Sequence, residues 1–350
     1  MNIFNKKPFL IADIGVNFQA IAEKEGISDI DAAKLMIEES KKCGVDAVEF
    51  KVYDAENIDS YDAPEYLGLS GEHSSSQFEL FKNFGNFGVE EYRQLSDYCK
   101  SLGVMFLATP FDFDSADYLD SFMDIYKISS SDLTNIPFIK HIASKNKPIL
   151  LFTGASTLIE IKQAVNAIEE VSAVDIAIIH CVLSYPTAYE DANLLMIKDL
   201  AENFHNYEIG YSDHTKSDEN MLVLTTAFNY GANILEKYFT LDKTLQGNNH
   251  DYAMDPQDVF KFKENIRFLS KIRGMKNKQP LICESSARKK VRKSIVARRN
   301  IKKGEEITRD DITFKRPGTG IHPSEMDKVI GKVVKEDIIE DTLLDFDMLS

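Results

Sequence analysis

Apolar residues run along this chain in two alternating rhythms. Short segments rich in Val, Ile, Leu and Phe occur at 9–17 (FLIADIGVN), 47–53 (AVEFKVY), 104–111 (VMFLATPF) and 124–131 (DIYKISSS). Four more follow at 148–154 (PILLFTG), 175–182 (DIAIIHCV), 207–214 (YEIGYSDH) and 233–241 (NILEKYFTL). Such runs read as buried strands. Between them the apolar positions recur every three or four residues, the period of a helix packed on one face. DIDAAKLMIEESKKCG carries its glycine stop at Gly44 and VEEYRQLSDYCKSLG at Gly103, while Ser156 and Thr157 offer N-caps to STLIEIKQAVNAIEEV. Segment starts fall about 20 to 40 residues apart, except for one gap of 57, which suits strand, helix and two turns. The long gap holds a polar stretch, 59–77, read as an inserted loop.

Eight such units, ending near residue 273, predict an α/β fold, a (β/α)8 TIM barrel. An open doubly wound sheet would want G-x-G-x-x-G after its first strand, and ADIGVNF does not supply it. After residue 273 the texture changes. RGMKNKQP reads as a linker, and short β stretches with turn signals at KKGEE and RPGTG follow. The expected division is a barrel over 1–273, a linker over 274–287 and a small β-rich domain over 288–350.

A formal charge of −15 sets the average surface against nucleic acid and anionic membrane. The basic run at 288–303 holds nine Lys/Arg and no acid, but it has no interleaved aromatic residue and belongs to an acidic chain. It reads as a solvated or interface face. No apolar run is long enough to span a bilayer, and no small-residue cleavage site follows the first apolar stretch. Four scattered cysteines without a C-x-x-C pair read as reduced thiols, so the expected location is cytoplasmic.

In a barrel of this kind, chemistry gathers where the carboxyl ends of the strands meet their loops. Here those ends carry Asp13 and Asn17, then Glu49, Lys51 and Tyr53, then Thr109 to Asp112. Lys127 with Ser129, Ser130, Ser131 and Asp132 follows, then Thr153-Gly154, then His180, Cys181, Ser184 and Tyr185. Ser212-Asp213-His214 and Glu236-Lys237-Tyr238 complete the ring. Polar groups at all eight ends predict a polar pocket. Lysines beside hydroxyls suit an anionic ligand, whereas Lys127 paired with Asp13 or Glu49 inside the mouth is the purely structural alternative. His214, next to an acid, is open between metal ligand, general base and satisfied hydrogen-bonder. His180, inside an apolar strand, reads as structural, and His250 stays open.

The ordered series ADIGVN, GVDAVEFK, FLATPFD, YKISSSDLTN, TGAST, HCVLSYPT, GYSDHT and EKYFTLDKT resembles the signature motifs of the sialic acid (N-acetylneuraminate) synthase family. RRNIKKGEEIT…KRPGTGI is similar to that family's C-terminal antifreeze-like (SAF) domain. The resemblance covers nearly the whole chain. It implies condensation of phosphoenolpyruvate with an N-acyl hexosamine to a nine-carbon 2-keto acid and phosphate, with a divalent metal, Mn²⁺ or Mg²⁺. It implies that Lys127 and Ser130 hold phosphoenolpyruvate, and that Asp13, near the sugar, Asp132, as an acid, and Lys127 are the catalytic residues. Asn17, Lys51, Thr109, Thr153, Tyr185, Ser212 and Asp213 are implied in substrate binding. His214 is implied as a metal ligand, with Tyr238 a weak second one. Arg316 would enter the partner's barrel of a domain-swapped homodimer.

Five pocket positions depart from the family pattern. VKFQ becomes Val48-Glu49-Phe50-Lys51, so a phosphate-contacting lysine is Glu49 and a glutamine is Lys51. A phosphate-donating serine is Phe152, a metal histidine is Tyr238, and an aspartate is Asn249. Two residues apart on a strand, Glu49 and Lys51 share a face, so Lys51 is expected to restore part of the lost cation. These departures also leave open an alternative: a catalytically weakened paralogue acting as a binding or regulatory subunit.

Overall fold

The structure, a computed structural model, describes residues 8–61, 63, 64, 78, 87–247 and 249–350. Of the expected loop at 59–77, residues 62 and 65–77 lie outside the described residues.

Two compact units divide the chain, Met1–Ile272 and Arg273–Ser350. In the first, eight parallel strands run β1 Phe9–Asp13, β2 Ala47–Val52, β3 Met105–Pro110, β4 Tyr126–Ile128, β5 Ile149–Phe152, β6 Ile176–His180, β7 Glu208–Asp213 and β8 Ile234–Tyr238. Their ladder order is β3-β2-β1-β8-β7-β6-β5-β4, and β3 and β4 lie against each other to close the ring. This is a nearly closed TIM-type barrel. Each strand is shorter than its apolar segment, because the polar tail of each segment has already left the ladder for the loop.

The barrel stands because each strand has two buried faces. One set of side chains, including Phe9, Ile11, Leu107, Leu150, Ile179 and Ile234, fills the interior. The alternate set, including Leu10, Phe50, Phe106, Leu151 and Tyr211, packs under the helices. Hydrophobic runs covered on both sides are what a parallel sheet requires. The helices begin and end where the sequence places them. Ser28 accepts from the Asp31 amide to open Asp29–Cys43, which closes at Gly44 with φ +93°. Val89–Leu102 closes at Gly103, φ +65°. Thr157, rather than Ser156, caps Leu158–Glu169 through a reciprocal capping box with Glu160. A helix not expected from sequence, Phe18–Glu25, begins directly after Asn17.

The second unit pairs β9 Ser294–Ala297 antiparallel with β10 Ile312–Lys315 over its own core of Ile295, Ile301, Ile307, Ile312, Val334 and Leu344. Single bridges, such as Ile301 with Ile338, extend this small β structure. Part of the expected linker is ordered as a short helix, Ser285–Lys290.

Candidate functional site

Alternation along the strands decides which residues can meet at the mouth of the barrel. On β2 the inward positions are Glu49 and Lys51. Register places Asp13 beside both Glu49 and Tyr238, Lys51 beside Thr109, and Ser212 beside Glu236. A cavity of about 430 Å³ opens there. Asp13, Lys51, Thr109, Lys127, Ser130 and Asp132 line it from one side, and Tyr185, His214 and Tyr238 from the other.

At its floor lies an ion cluster. The Lys127 ammonium donates to both oxygens of Glu49, at 2.8 and 2.7 Å, and to both oxygens of Glu236, at 2.9 and 3.0 Å. Thr109 donates its hydroxyl to Glu49 Oε1 at 2.6 Å, and Ser212 donates to Glu236 Oε1 at 2.9 Å. All three charged side chains are buried. Burial opposes the charge on each, and the neighbours then decide the outcome. For Lys127 the carboxylates of Glu236 and Glu49 more than offset burial and hold the ammonium firmly protonated. For Glu49 the Lys127 charge and hydrogen bonds from Glu236, Lys127 and Thr109 hold the carboxyl below its usual range. Glu236 goes the other way: burial and the Glu49 charge push it well above the carboxylate range. The geometry sets one ammonium between two carboxyl groups, of which Glu49 is the stronger acid and Glu236 the weaker. The Phe152 ring lies 4.1 Å from the Lys127 nitrogen, so the aromatic that replaces a phosphate donor serves the ammonium instead.

Lys51, expected to restore part of the lost cation, lines the same cavity as Lys127. Its ammonium does not join Lys127; it hydrogen-bonds the Tyr238 hydroxyl and lies 3.5 Å from Asp13 Oδ2. Asp13 Oδ1 is buried without a hydrogen-bond partner among the described residues, and burial, only partly offset by Lys51, raises its pKa to about 6. An orphaned acceptor beside a cavity is a place for a ligand hydroxyl.

His214 is held neutral by burial, with its pKa pushed down to about 3. Its Nδ1 donates to the Val182 carbonyl at 2.7 Å, which leaves the Nε2 lone pair facing Ser212 Oγ at 3.2 Å. The Tyr185 ring stacks near it at 4.5 Å and Tyr238 at 5.8 Å. Asp132 is half-buried, accepts from the Asn135 amide at 3.2 Å, and is pushed upward by burial.

A divalent metal is the group the sequence implies, and two donor sets can be tested for it. His214 suits a metal, but Tyr238 does not: burial and the adjacent Tyr185 raise its hydroxyl well above pH 10, and the Lys51 ammonium donates to it. The carboxylates of Asp13, Glu49 and Glu236 offer oxygens within 4.8 Å of one another, close enough to hold a metal ion. Lys127 already bonds two of those three. By its chemistry the histidine–tyrosine pair does not fit the ion, and among the described residues the carboxylate triad is the set that could hold one.

Four expected ligand contacts point elsewhere. Asn17 is buried and donates to the Phe239 carbonyl at 2.9 Å; Thr153 donates to the Ile179 carbonyl at 2.9 Å. Ser212 reaches the cavity only through Glu236. Asp213 faces the helices, bound to Lys237 at 2.9 Å and to the Thr215 amide and hydroxyl. Arg316 belongs to the second unit, whereas the cavity is built within the first. His180 is structural as read, stacked on Tyr211 and bonded to the Ala192 carbonyl. His250 is buried with Nδ1 2.7 Å from Thr240 Oγ1, and its Nε2 has no hydrogen-bond partner. Glu236 was the residue given no role from sequence. Its parity with Tyr238 on β8, two residues apart in LEKY, was the available signal.

A parallel barrel with titratable groups gathered at the carboxyl ends of its strands defines a class of barrel enzyme scaffold. Within it, residues 36–278 match the NeuB family and residues 292–350 match the SAF domain, so the chain belongs to the NeuB family of sialic-acid-type synthases. An N,N'-diacetyllegionaminic acid synthase of Legionella pneumophila is 34% identical, over 96% of this chain and 93% of that one. An uncharacterised protein of Methanocaldococcus jannaschii is 38% identical, over 97% and 94%. Among solved structures, the sialic acid synthetase of Leptospira borgpetersenii, in complex with citrate, is 30% identical, with a TM-score of 0.68 over 81% of this chain and 90% of that one.

Proposed function

We propose that the chain condenses phosphoenolpyruvate with an N-acylated hexosamine, N-acetylmannosamine or a diacetamido analogue, giving a nine-carbon 2-keto acid and inorganic phosphate. The observation that carries this reading is one cavity that combines a buried ammonium, Lys127, with the Ser130 and Thr109 hydroxyls, a carboxyl poised as an acid, Asp132, and an unpartnered acceptor, Asp13. Relatives named legionaminic acid and N-acetylneuraminate-9-phosphate synthases support the substrate class.

In this reading C3 of the enol attacks C1 of the open-chain sugar, forming the carbon–carbon bond while the aldehyde oxygen takes a proton. Asp132, its acidity weakened by burial, is the proton source. Water adds to the cationic C2 and returns a proton to Asp132; the C2 hydroxyl then becomes the ketone as the C–O bond to phosphate breaks, its proton leaving with the phosphate. Lys127 balances the anionic end, and Asp13 accepts from a sugar hydroxyl. The Tyr238 hydroxyl and the Lys51 ammonium stand as donors toward the same space. A divalent metal, where bound, would be held by the carboxylates of Asp13, Glu49 and Glu236 rather than by the His214–Tyr238 pair, and would polarise the sugar aldehyde. The reading includes a cytoplasmic, domain-swapped homodimer in which Arg316 of one chain serves the other's site. No helix among the described residues is long and apolar enough to cross a membrane.

The test is phosphate release from phosphoenolpyruvate across a panel of N-acetylmannosamine and diacetamido hexoses, with chelator and with Mn²⁺ or Mg²⁺. Release with any one sugar is the expected outcome. A second reading, a weakened paralogue that binds without turning over, is favoured by the closed Lys127–Glu49 pair, and it would show sugar binding with no phosphate release.

A further inference from the structure

Two of the donors that would greet an anion in this cavity, Lys127 and Thr109, are already taken by one residue. Glu49 accepts two short hydrogen bonds from Lys127 and a third from Thr109, while lying wholly buried on the inner face of β2. Ser130 Oγ is positioned by accepting from the Gly154 amide at 2.9 Å and lies 3.2 Å from Cys181 Sγ. A carboxylate that collects an ammonium and a hydroxyl at the floor of a cavity has the partners of a bound acid. It differs from one only in being tethered to the backbone. Lys51 lies apart from this competition: its ammonium bonds the Tyr238 hydroxyl and lies 3.5 Å from Asp13 Oδ2, not against Glu49.

We propose that Glu49 is an internal anion that holds the ligand-acid site closed, so that a phosphorylated or carboxylated ligand binds only by displacing it from Lys127 and Thr109. The inference rests on the proposed reading for the ligand's identity and sets the affinity of that site. Glu236 is the arm that stays. It bonds Lys127 from the opposite side, from β8, and Ser212 fixes it there. The ammonium therefore keeps a hydrogen-bonding partner when Glu49 lets go, and the incoming acid supplies the charge that Glu49 withdraws. A ligand acid must repay the loss of the Glu49 contacts, and the freed carboxylate then stands in the same cavity with an anion. Both effects weaken binding. Glu49 is thus the specificity-determining residue of the anionic half-site, at a position where the chain places an acid against its own lysine.

Calorimetric titration of phosphoenolpyruvate, and separately of inorganic phosphate, into wild type and Glu49→Gln tests this. Glutamine keeps the shape and the Thr109 contact but not the charge. The expected result is at least about a ten-fold gain in affinity for both probes in E49Q, weakened by added salt and lost again in E49Q/K127M. If E49Q does not fold, E49A is assayed by thermal melting: phosphate should raise its melting temperature well beyond any effect on wild type, since ligand binding to the native state alone stabilises it. Equal or weaker binding in E49Q than in wild type overturns the proposal, and if wild type still releases phosphate with a hexosamine, the functional reading survives that loss. A ten-fold gain in E49Q with no turnover by wild type on any sugar sustains the internal anion and sinks the functional reading instead. No binding by either protein sinks both.

Discussion

At the scale of single residues, the site is a set of charges that cannot all be satisfied at once. Asp13 shows the cost. It keeps one oxygen without a partner, and burial raises its pKa to about 6, above the ~3.9 of an unfolded chain. Between about pH 4 and 6 the folded state therefore holds more protons than the unfolded state, so stability falls as pH rises through that window. Asn cannot ionise, and Asp13→Asn should escape this penalty. Its advantage over wild type should be small near pH 4 and grow by about 3 kcal/mol by pH 7, while activity is lost. Urea unfolding of both proteins from pH 4 to 7.5 checks this, and a gap that stays constant with pH would remove Asp13 as the source. The same frustration explains what the residue types alone could not reveal. Lys127 beside hydroxyls reads equally as an anion site or as half of an ion pair, and only the inward parity shared by Glu49 and Glu236 joins it to two acids. For Lys51, alternation fixes the face toward the cavity, not the direction in which the long side chain turns.

The elements were far more legible, for a reason that lies in burial. Strands covered on both faces must be apolar nearly throughout, and helices packed on one face must repeat every three or four residues, so both patterns survive in the sequence. Strand ends did not, since the polar residues of the site continue each apolar segment without a break; β4 keeps three of its eight segment residues in the ladder. One position tests how tightly the elements fit. Gly210 on β7 faces the barrel interior, where an added Cβ would lie 2.7 Å from the Ile234 carbonyl oxygen of the neighbouring strand and against Ile179. Backbone cannot retreat as a side-chain tip can. Gly210→Ala should therefore cost about 1–3 kcal/mol, the range for overpacked cores, and shift the whole barrel's unfolding transition rather than one loop. A thermal melt followed by far-UV circular dichroism would show it. An unchanged midpoint would mean that β7 and β8 have slack this packing does not show.

At the scale of the whole molecule, two units with separate cores must still make one site if Arg316 serves the chemistry. The described residues that line the barrel cavity belong to the first unit and Arg316 to the second, so in the proposed reading the arginine would serve a cavity either within its own chain or across a symmetric pair. The two arrangements differ in what mixing mutants can do. Lys127→Ala and Arg316→Ala should each be nearly inactive, the first through the anion site and the second through the N-acyl sugar. When the two are unfolded together and refolded at equal amounts, about half of the dimers are mixed. In a swapped dimer, each mixed pair holds one site with an intact lysine from one chain and an intact arginine from the other. About a quarter of all sites should then work, and phosphate release should return to about a quarter of the wild-type rate. If each arginine serves its own barrel, every site in the mixture keeps one lesion and no activity returns. An Arg316→Ala chain that is fully active alone would show instead that the first unit carries the reaction by itself.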